Sequence, residues 1–432
     1  MSGPPLGERS APRSADVPLR PALRGSGRAV RLGGRAADFL ALERSVSAVA
    51  GTMFLMGLGE ELWKRFVPKY LEALGAPVAA VGLYGSVRDL LDGLYQYPGG
   101  WVADRFGRRH ALLLFVALAT VGYAVYLAAP AWPAGSSAGW PLVFVGLCFV
   151  MAWSSMASPT LFAVVGDALP KGRRAMGFTV QSILRRVPIA VAPTLGGLAI
   201  AAYGVRGGVQ LGLAATILLA GVTLAVTARV RVPVVPQGAP TNLAGVWRAL
   251  PPTLRRLLLS DVFVRTCEGL VDVFVVLYAI NVVGVSAPQY GALVAVQMVT
   301  AILVYLPAAR LADRAGRKPF VIATFMAFSL FPLAVAASGS FGALALAFVV
   351  GGLREIGEPA RKALIVDLAE PHLRARSVGL YYLVRSLAVS PAALVGGALW
   401  AVAPRLPFLA AAGVGAVGTL VFAATVRAEH AA

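Results

Sequence analysis

Long apolar runs follow one another from about residue 45 to residue 427, each about 20 residues or longer. A helix of that length, rising 1.5 Å per residue, crosses the roughly 30 Å hydrocarbon core of a bilayer. In lipid every backbone N–H and C=O needs an internal partner, so only helices and closed barrels can span. A barrel would show short alternating segments, whereas these runs are continuous. The chain therefore reads as an all-α polytopic membrane protein. Composition agrees: 58% of the 432 residues are hydrophobic and only 14% are charged, unlike ordinary soluble domains.

Twelve spans are expected, at about 45–71, 78–103, 110–129, 141–168, 175–203, 207–228, 256–283, 289–312, 319–338, 341–367, 375–402 and 405–427. Between the second and third lies Gly100-Trp101-Val102-Ala103-Asp104-Arg105-Phe106-Gly107-Arg108-Arg109. Between the eighth and ninth lies Ala309-Arg310-Leu311-Ala312-Asp313-Arg314-Ala315-Gly316-Arg317-Lys318. A polar signature at matching places in two six-span halves points to a duplicated carrier. The repeat extends further. Glu60 matches Glu268, Tyr70 matches Tyr278, Ser158-Pro159 matches Glu358-Pro359, and Asp167 matches Asp367. Pro193 with Gly196-Gly197 matches Pro391 with Gly396-Gly397.

These loops resemble the G-x-x-x-D-R-x-G-R-R/K signature of the major facilitator superfamily. The first copy matches fully, and the second departs only at Ala309. The resemblance covers about residues 45–427. It implies the family's fold of twelve transmembrane helices, as two pseudo-symmetric six-helix bundles around a central cavity that opens alternately to either side. It also implies a monomer. The domains expected are a disordered basic tail (1–44), an N-terminal bundle (45–228), a cytoplasmic linker (229–254), a C-terminal bundle (255–427) and a short tail (428–432).

The formal charge of +19 needs no nucleic acid, because Arg and Lys crowd alternate loops. That is the positive-inside pattern, and it places both termini in the cytoplasm of a cell whose inner (plasma) membrane holds the chain. Two cysteines and three histidines offer no plausible metal site, and no protease, hydrolase or nucleotide-binding motif is present. The chain is expected to be no enzyme and to need no cofactor beyond protons as coupling ion. Its partners are a small-molecule substrate and the lipid bilayer.

Charged residues at membrane depth are costly and mark candidate sites. Here they are Glu60, Glu61, Arg88, Asp89, Asp92, Arg185, Arg265, Glu268, Asp272, Arg354, Glu355, Glu358, Arg361 and Arg385. Arg88 and Asp92 are four apart, so they share a helix face and suggest a local ion pair. Asp261, Arg265, Glu268 and Asp272 share another face, as do Arg354, Glu358 and Arg361. Lys64, Arg65 and Lys69 are expected to snorkel outwards. Moving a carboxyl between a dry pocket and an arginine's neighbourhood changes its proton affinity, which would load and release a proton.

In the loops, the resemblance gives Asp104 and Asp313 a latching role, with Gly100, Arg105, Gly107, Arg108, Arg109, Arg314, Gly316 and Arg317 completing the gates. The glycines are expected to permit close backbone approach. Pro193, Gly196 and Gly197 resemble part of the antiporter signature of drug exporters. The fourth span carries Trp153-Ser154-Ser155 where many proton-coupled exporters carry an arginine. Two transport readings follow: proton-coupled efflux by antiport, or proton-coupled uptake of a polar or anionic metabolite, which the many arginines suit. A non-transporting scaffold or sensor is the reading of another class.

Overall fold

A computed structural model describes residues 44–131, 139–158, 160–161, 174–229, 247–248, 250–369 and 374–426. The remainder, including most of the tail and linker, the last six residues, Pro159 and Asp167, lies outside the described residues, as do the side chains of Asp104, Asp313 and Arg314. The described chain is helical, with no strand among the described residues. In order, the N-terminal half contains α1 (Arg44–Trp63), α2 (Val67–Ala73), α3 (Val78–Phe106), α4 (Arg108–Ala128), α5 (Trp140–Met151) and α6 (Arg174–Arg229). The C-terminal half contains α7 (Pro252–Val271), α8 (Ala287–Ala315), α9 (Lys318–Ala337), α10 (Phe341–Leu353), α11 (Glu358–Leu368), α12 (Arg374–Val389), α13 (Ala392–Val402) and α14 (Leu406–Thr425).

The long α6 is two spans. Gly204 takes φ +73°, which only glycine adopts freely. The chain turns back there, bringing Gly208 within contact of Ile200. Six helical stretches among the described residues are long and apolar enough to cross a membrane, the α6 hairpin counting as one. Several of the others are interrupted or charged. The first span breaks at Lys64–Phe66, where the Pro68 ring conflicts with the carbonyl four residues back. The tenth breaks at Arg354–Gly357, which contains Glu355, the residue four ahead of a proline, Pro359. The eleventh breaks at Ser390–Pro391, since the residue before proline avoids the helical region. The seventh breaks at Asp272–Phe274 with no proline nearby and continues into a π-helical turn, Tyr278–Val282. Continuous helices were expected at all four places.

The two most extensive packings between the halves are α3 against α13 and α6 against α8; α3 also meets α12, and α2 meets the short helical segment Val275–Leu277. Under the sequence repeat the first two contacts are equivalents of one another. Both are close because both use glycine. A Cβ added at Gly82 would lie 2.7 Å from the Ala393 carbonyl oxygen. One at Gly197 would lie 2.4 Å from the Ala287 oxygen, and one at Gly291 would lie 2.5 Å from the Pro193 oxygen. Within the N-terminal half, α6 presses on α1 so closely that a Cβ at Gly196 would stand 1.8 Å from the Leu62 oxygen. Backbone must move to admit it. Gly196→Ala is therefore expected to cost about 2–3 kcal/mol, read as a lower melting temperature of the purified protein; an unchanged melting temperature would refute this packing.

The loop signatures keep a matching backbone. Gly107 and Gly316 take φ +81° and +85°, a conformation that needs glycine. Each therefore lets one helix end and the next begin with a single residue between α3 and α4, or two between α8 and α9. Gly100 differs from expectation. A Cβ there meets nothing within 4 Å, whereas its neighbour Gly99 would meet the Met156 oxygen at 2.4 Å. Close approach is thus carried by Gly99. The first glycine of the motif is not demanded by packing in the copy that has it.

Candidate functional site

Between the halves lies a cavity of about 640 Å³, walled by the first, second, fifth, seventh, eighth and tenth spans and by Phe328 and Phe331 of α9. The α9 rings enter because α10 has no side chain in their way: a Cβ at Gly351 would be 2.9 Å from the Phe331 ring. The fourth span contributes no wall residue among the described residues.

Arginines are held over these rings. Arg354 lies 4.9 Å from the Phe328 centroid and 4.8 Å from that of Phe331, and Arg265 lies 4.8 Å from Phe328. Glu268 receives both arginines, Arg265 at 2.9 Å and Arg354 at 3.2 Å. Arg186 bonds Glu355 across the halves at 2.8 Å and covers the Tyr305 ring. Glu61 holds Arg65 at 3.2 Å. Arg185 and Lys362 also line the cavity and make no close ion pair among the described residues.

The expected Arg88–Asp92 pair does not form. Arg88 instead bonds Asp89 at 2.9 Å and reaches across the halves to Asp272 at 2.8 Å. Asp92 accepts a hydrogen bond from Ser155 at 2.6 Å. That serine sits in a π-helical turn, Ala152–Met156, where the sequence has no arginine to offer. Such turns re-aim side chains and recur at functional sites.

Nor do Arg354, Glu358 and Arg361 share a face, because the break after α10 re-aims the chain. Arg354 stays on the cavity wall. Glu358 and Arg361 turn into a buried network with α7 and α12. Arg361 bonds Asp261 at 2.8 Å and Glu358 at 2.9 Å, while Arg265 bonds Glu358 at 2.6 Å. Tyr381 donates to Asp261 at 3.0 Å, and Arg385 stands 3.4 Å from it. Asp261 thus leaves the cavity face that its spacing suggested. Glu60 is also buried behind the wall, accepting from Tyr123 at 2.7 Å with Lys64 at 3.8 Å. Lys69 does not simply snorkel: it bonds Glu72 at 2.7 Å and Asn281 of the other half at 2.6 Å.

In the loops, Arg105 stacks on Trp101, Arg108 is buried, Arg109 donates to the Ala228 carbonyl, and Arg317 pairs with Asp367. Pro193, Gly196 and Gly197 lie at the helix crossings described above. The charged wall residues that the expected site did not include are Lys64, Arg65, Arg186 and Lys362. Their signal was present, since each is a charge inside an apolar run.

A charged cavity enclosed between two repeated helical halves, each joined to the other by thin glycine contacts, defines a membrane carrier. The profile of the Major Facilitator Superfamily matches residues 49–281 and 257–432, and the chain belongs to that family. An uncharacterized MFS-type transporter of Methanocaldococcus jannaschii is 22% identical over 85% of this chain and 91% of its own. Among solved structures, the nucleoside transporter NupG superposes with a TM-score of 0.73 at 13% identity, covering 89% of this chain and all of its own. A POT family transporter in complex with a thioalcohol-conjugated peptide gives 0.70 at 14% identity, over 88% and 95%. These likenesses establish the fold. The protein is a multi-pass membrane transporter and not an enzyme.

Proposed function

We propose that this transporter carries a small organic anion by alternating access, coupled to protons through carboxyls that face the cavity, Glu61 and Glu268. The observation that carries the reading is the charge of the cavity wall: eight basic side chains against four acidic ones. Water excluded from such a space strengthens every charge interaction, so a wall of this sign attracts anions and repels cations. Among the described residues, Arg354 makes one close ion pair and lies over two aromatic rings. A substrate anion could replace that carboxylate without leaving the guanidinium bare.

This favours the polar-metabolite reading over export of lipophilic cations. The efflux reading drew on Pro193, Gly196 and Gly197, and their helix contacts account for those residues by packing alone. The orientation follows from the basic loops: the end bearing Gly107 and Gly316 faces the cytoplasm of the inner (plasma) membrane. The cross-half contacts at Lys69, Gly82, Gly197 and Gly291 lie at the opposite end, so the conformation is closed outwards.

The test is ligand binding by the purified protein, followed by uptake into proteoliposomes. Stable ligands raise the melting temperature by mass action. Organic anions are expected to do so, and Arg354→Gln is expected to weaken them about tenfold or more. Substrate-driven pH change in the same vesicles reads the coupling, and its absence would remove the proton. Stabilisation by lipophilic cations alone would overturn the anionic reading.

A further inference from the structure

A smaller recess of about 280 Å³ adjoins the main cavity between α3, α7 and α12. Arg88, Arg265, Glu268 and Asp272 belong to the walls of both. The sign of the charge changes across that shared wall. On the recess side, Asp89, Asp92 and Asp272 have one guanidinium between them, that of Arg88. Asp92 is met only by the Ser155 hydroxyl and has no cationic partner among the described residues. The other arginines of the recess are engaged elsewhere: Arg385 by Asp261, and Arg265 by Glu268 and Glu358. On the main-cavity side, of Arg185, Arg186 and Lys362 only Arg186 makes a close ion pair among the described residues, with Glu355.

Unmatched charge at membrane depth is costly wherever it lies, and here it lies in two adjoining places with opposite sign. A simple anion would answer only the basic side. A simple cation would answer only the acidic side. We infer that the substrate is dipolar: its anionic group lies on the basic wall formed by Arg354, Arg185, Arg186 and Lys362, and a cationic amine enters the recess against Asp89 and Asp92. This rests on the anionic-cavity reading and adds a second pole to it. Such a molecule satisfies both sets of side chains and carries no net charge across the membrane potential, which acts on every transferred charge. Asp92 is the specificity residue of the arrangement, since its carboxylate makes no ion pair among the described residues.

The experiment compares ω-amino acids of graded length and simple dipeptides, each beside its N-acetyl twin and its parent carboxylate, by thermal shift of the purified full-length protein. Amine-bearing members are expected to bind about tenfold or more tightly than their acetylated twins, the scale of a hydrogen-bonded charge pair. Asp92→Asn is expected to bring that ratio close to one, and Asp92→Glu to restore most of it. The melting temperature without ligand shows that each variant is folded. If carboxylates bind and the amine adds nothing, or if the ratio survives in Asp92→Asn, the dipolar inference fails and the anionic reading stands. If no carboxylate of any kind binds, both fail.

Discussion

Asp261→Asn is expected to destabilise the protein by about 3–5 kcal/mol, the cost of removing one partner from a buried ion pair. Asp261 is 0% exposed and Arg361 is 1% exposed. Oδ2 of Asp261 alone receives Arg361, Tyr381 and Arg385. Its loss leaves Arg361 with Glu358 as its sole acidic partner among the described residues, while the Tyr381 hydroxyl and the Arg385 guanidinium lose the charge they were placed around. The three elements concerned, α7, α11 and α12, all belong to the C-terminal half, so the network ties that half together. It also fixes α11 after the break at Arg354–Gly357, and hence the position of Arg354 beside the cavity. Pairing Asp261→Leu with Arg361→Met removes both charges and is expected to recover most of the loss, because a well-packed apolar pair commonly matches or exceeds a buried ion pair. Glu358 keeps Arg265 as its partner in that variant. Melting temperatures of the three proteins in one detergent decide the matter. A single variant as stable as the parent, yet inactive in transport, would move Asp261 from architecture to the transport cycle.

The fold was legible because two strong signals agree. Apolar length gives helices that cross a bilayer, and the loop repeated at 100–109 and 309–318 gives the duplication. The positive-φ glycines Gly107 and Gly316 sit inside that repeat. The site was legible only as a pool of charges. Sequence spacing presumes a continuous helix, and the charged spans are where continuity fails. Arg354 and Glu358 are four apart, yet one faces the cavity and the other a buried network, because Pro359 breaks the turn between them. The cross-half partner of Arg88 was beyond any local rule: the Asp272 carboxylate is 184 residues away in sequence and sits on the other half. Phe328 and Phe331 were missed for a different reason. Nothing in α9 marks them, and the signal lies in α10, where Gly351 omits the side chain that would otherwise fill their place.

The two halves touch at the end remote from the loop signatures, and fixing that end is expected to stop transport. Lys69 bonds Asn281 at 2.6 Å, and Asn281 bonds Glu72 at 3.1 Å, so α2 is tied to the π-helical turn that follows α7. The glycine contacts of α3 with α13 and of α6 with α8 lie at the same end. If the halves rock as packed bodies, these contacts must part for the cavity to open there. Packed interfaces move between discrete arrangements and do not stretch continuously. A cysteine pair at Lys69→Cys and Asn281→Cys, joined by a short reducible bifunctional reagent, holds the end shut. Cys148, the exposed native thiol, is first replaced by serine; Cys267 is buried. Crosslinked protein in proteoliposomes is expected to transport at about a tenth of the parent rate or less, with recovery on reduction, because a lid that cannot open limits turnover whatever the chemistry of binding. Each single-cysteine variant treated with the same reagent should keep its rate. Full transport by a fully crosslinked population would mean that this end never opens, and the cavity would then have to load and empty from one side of the membrane.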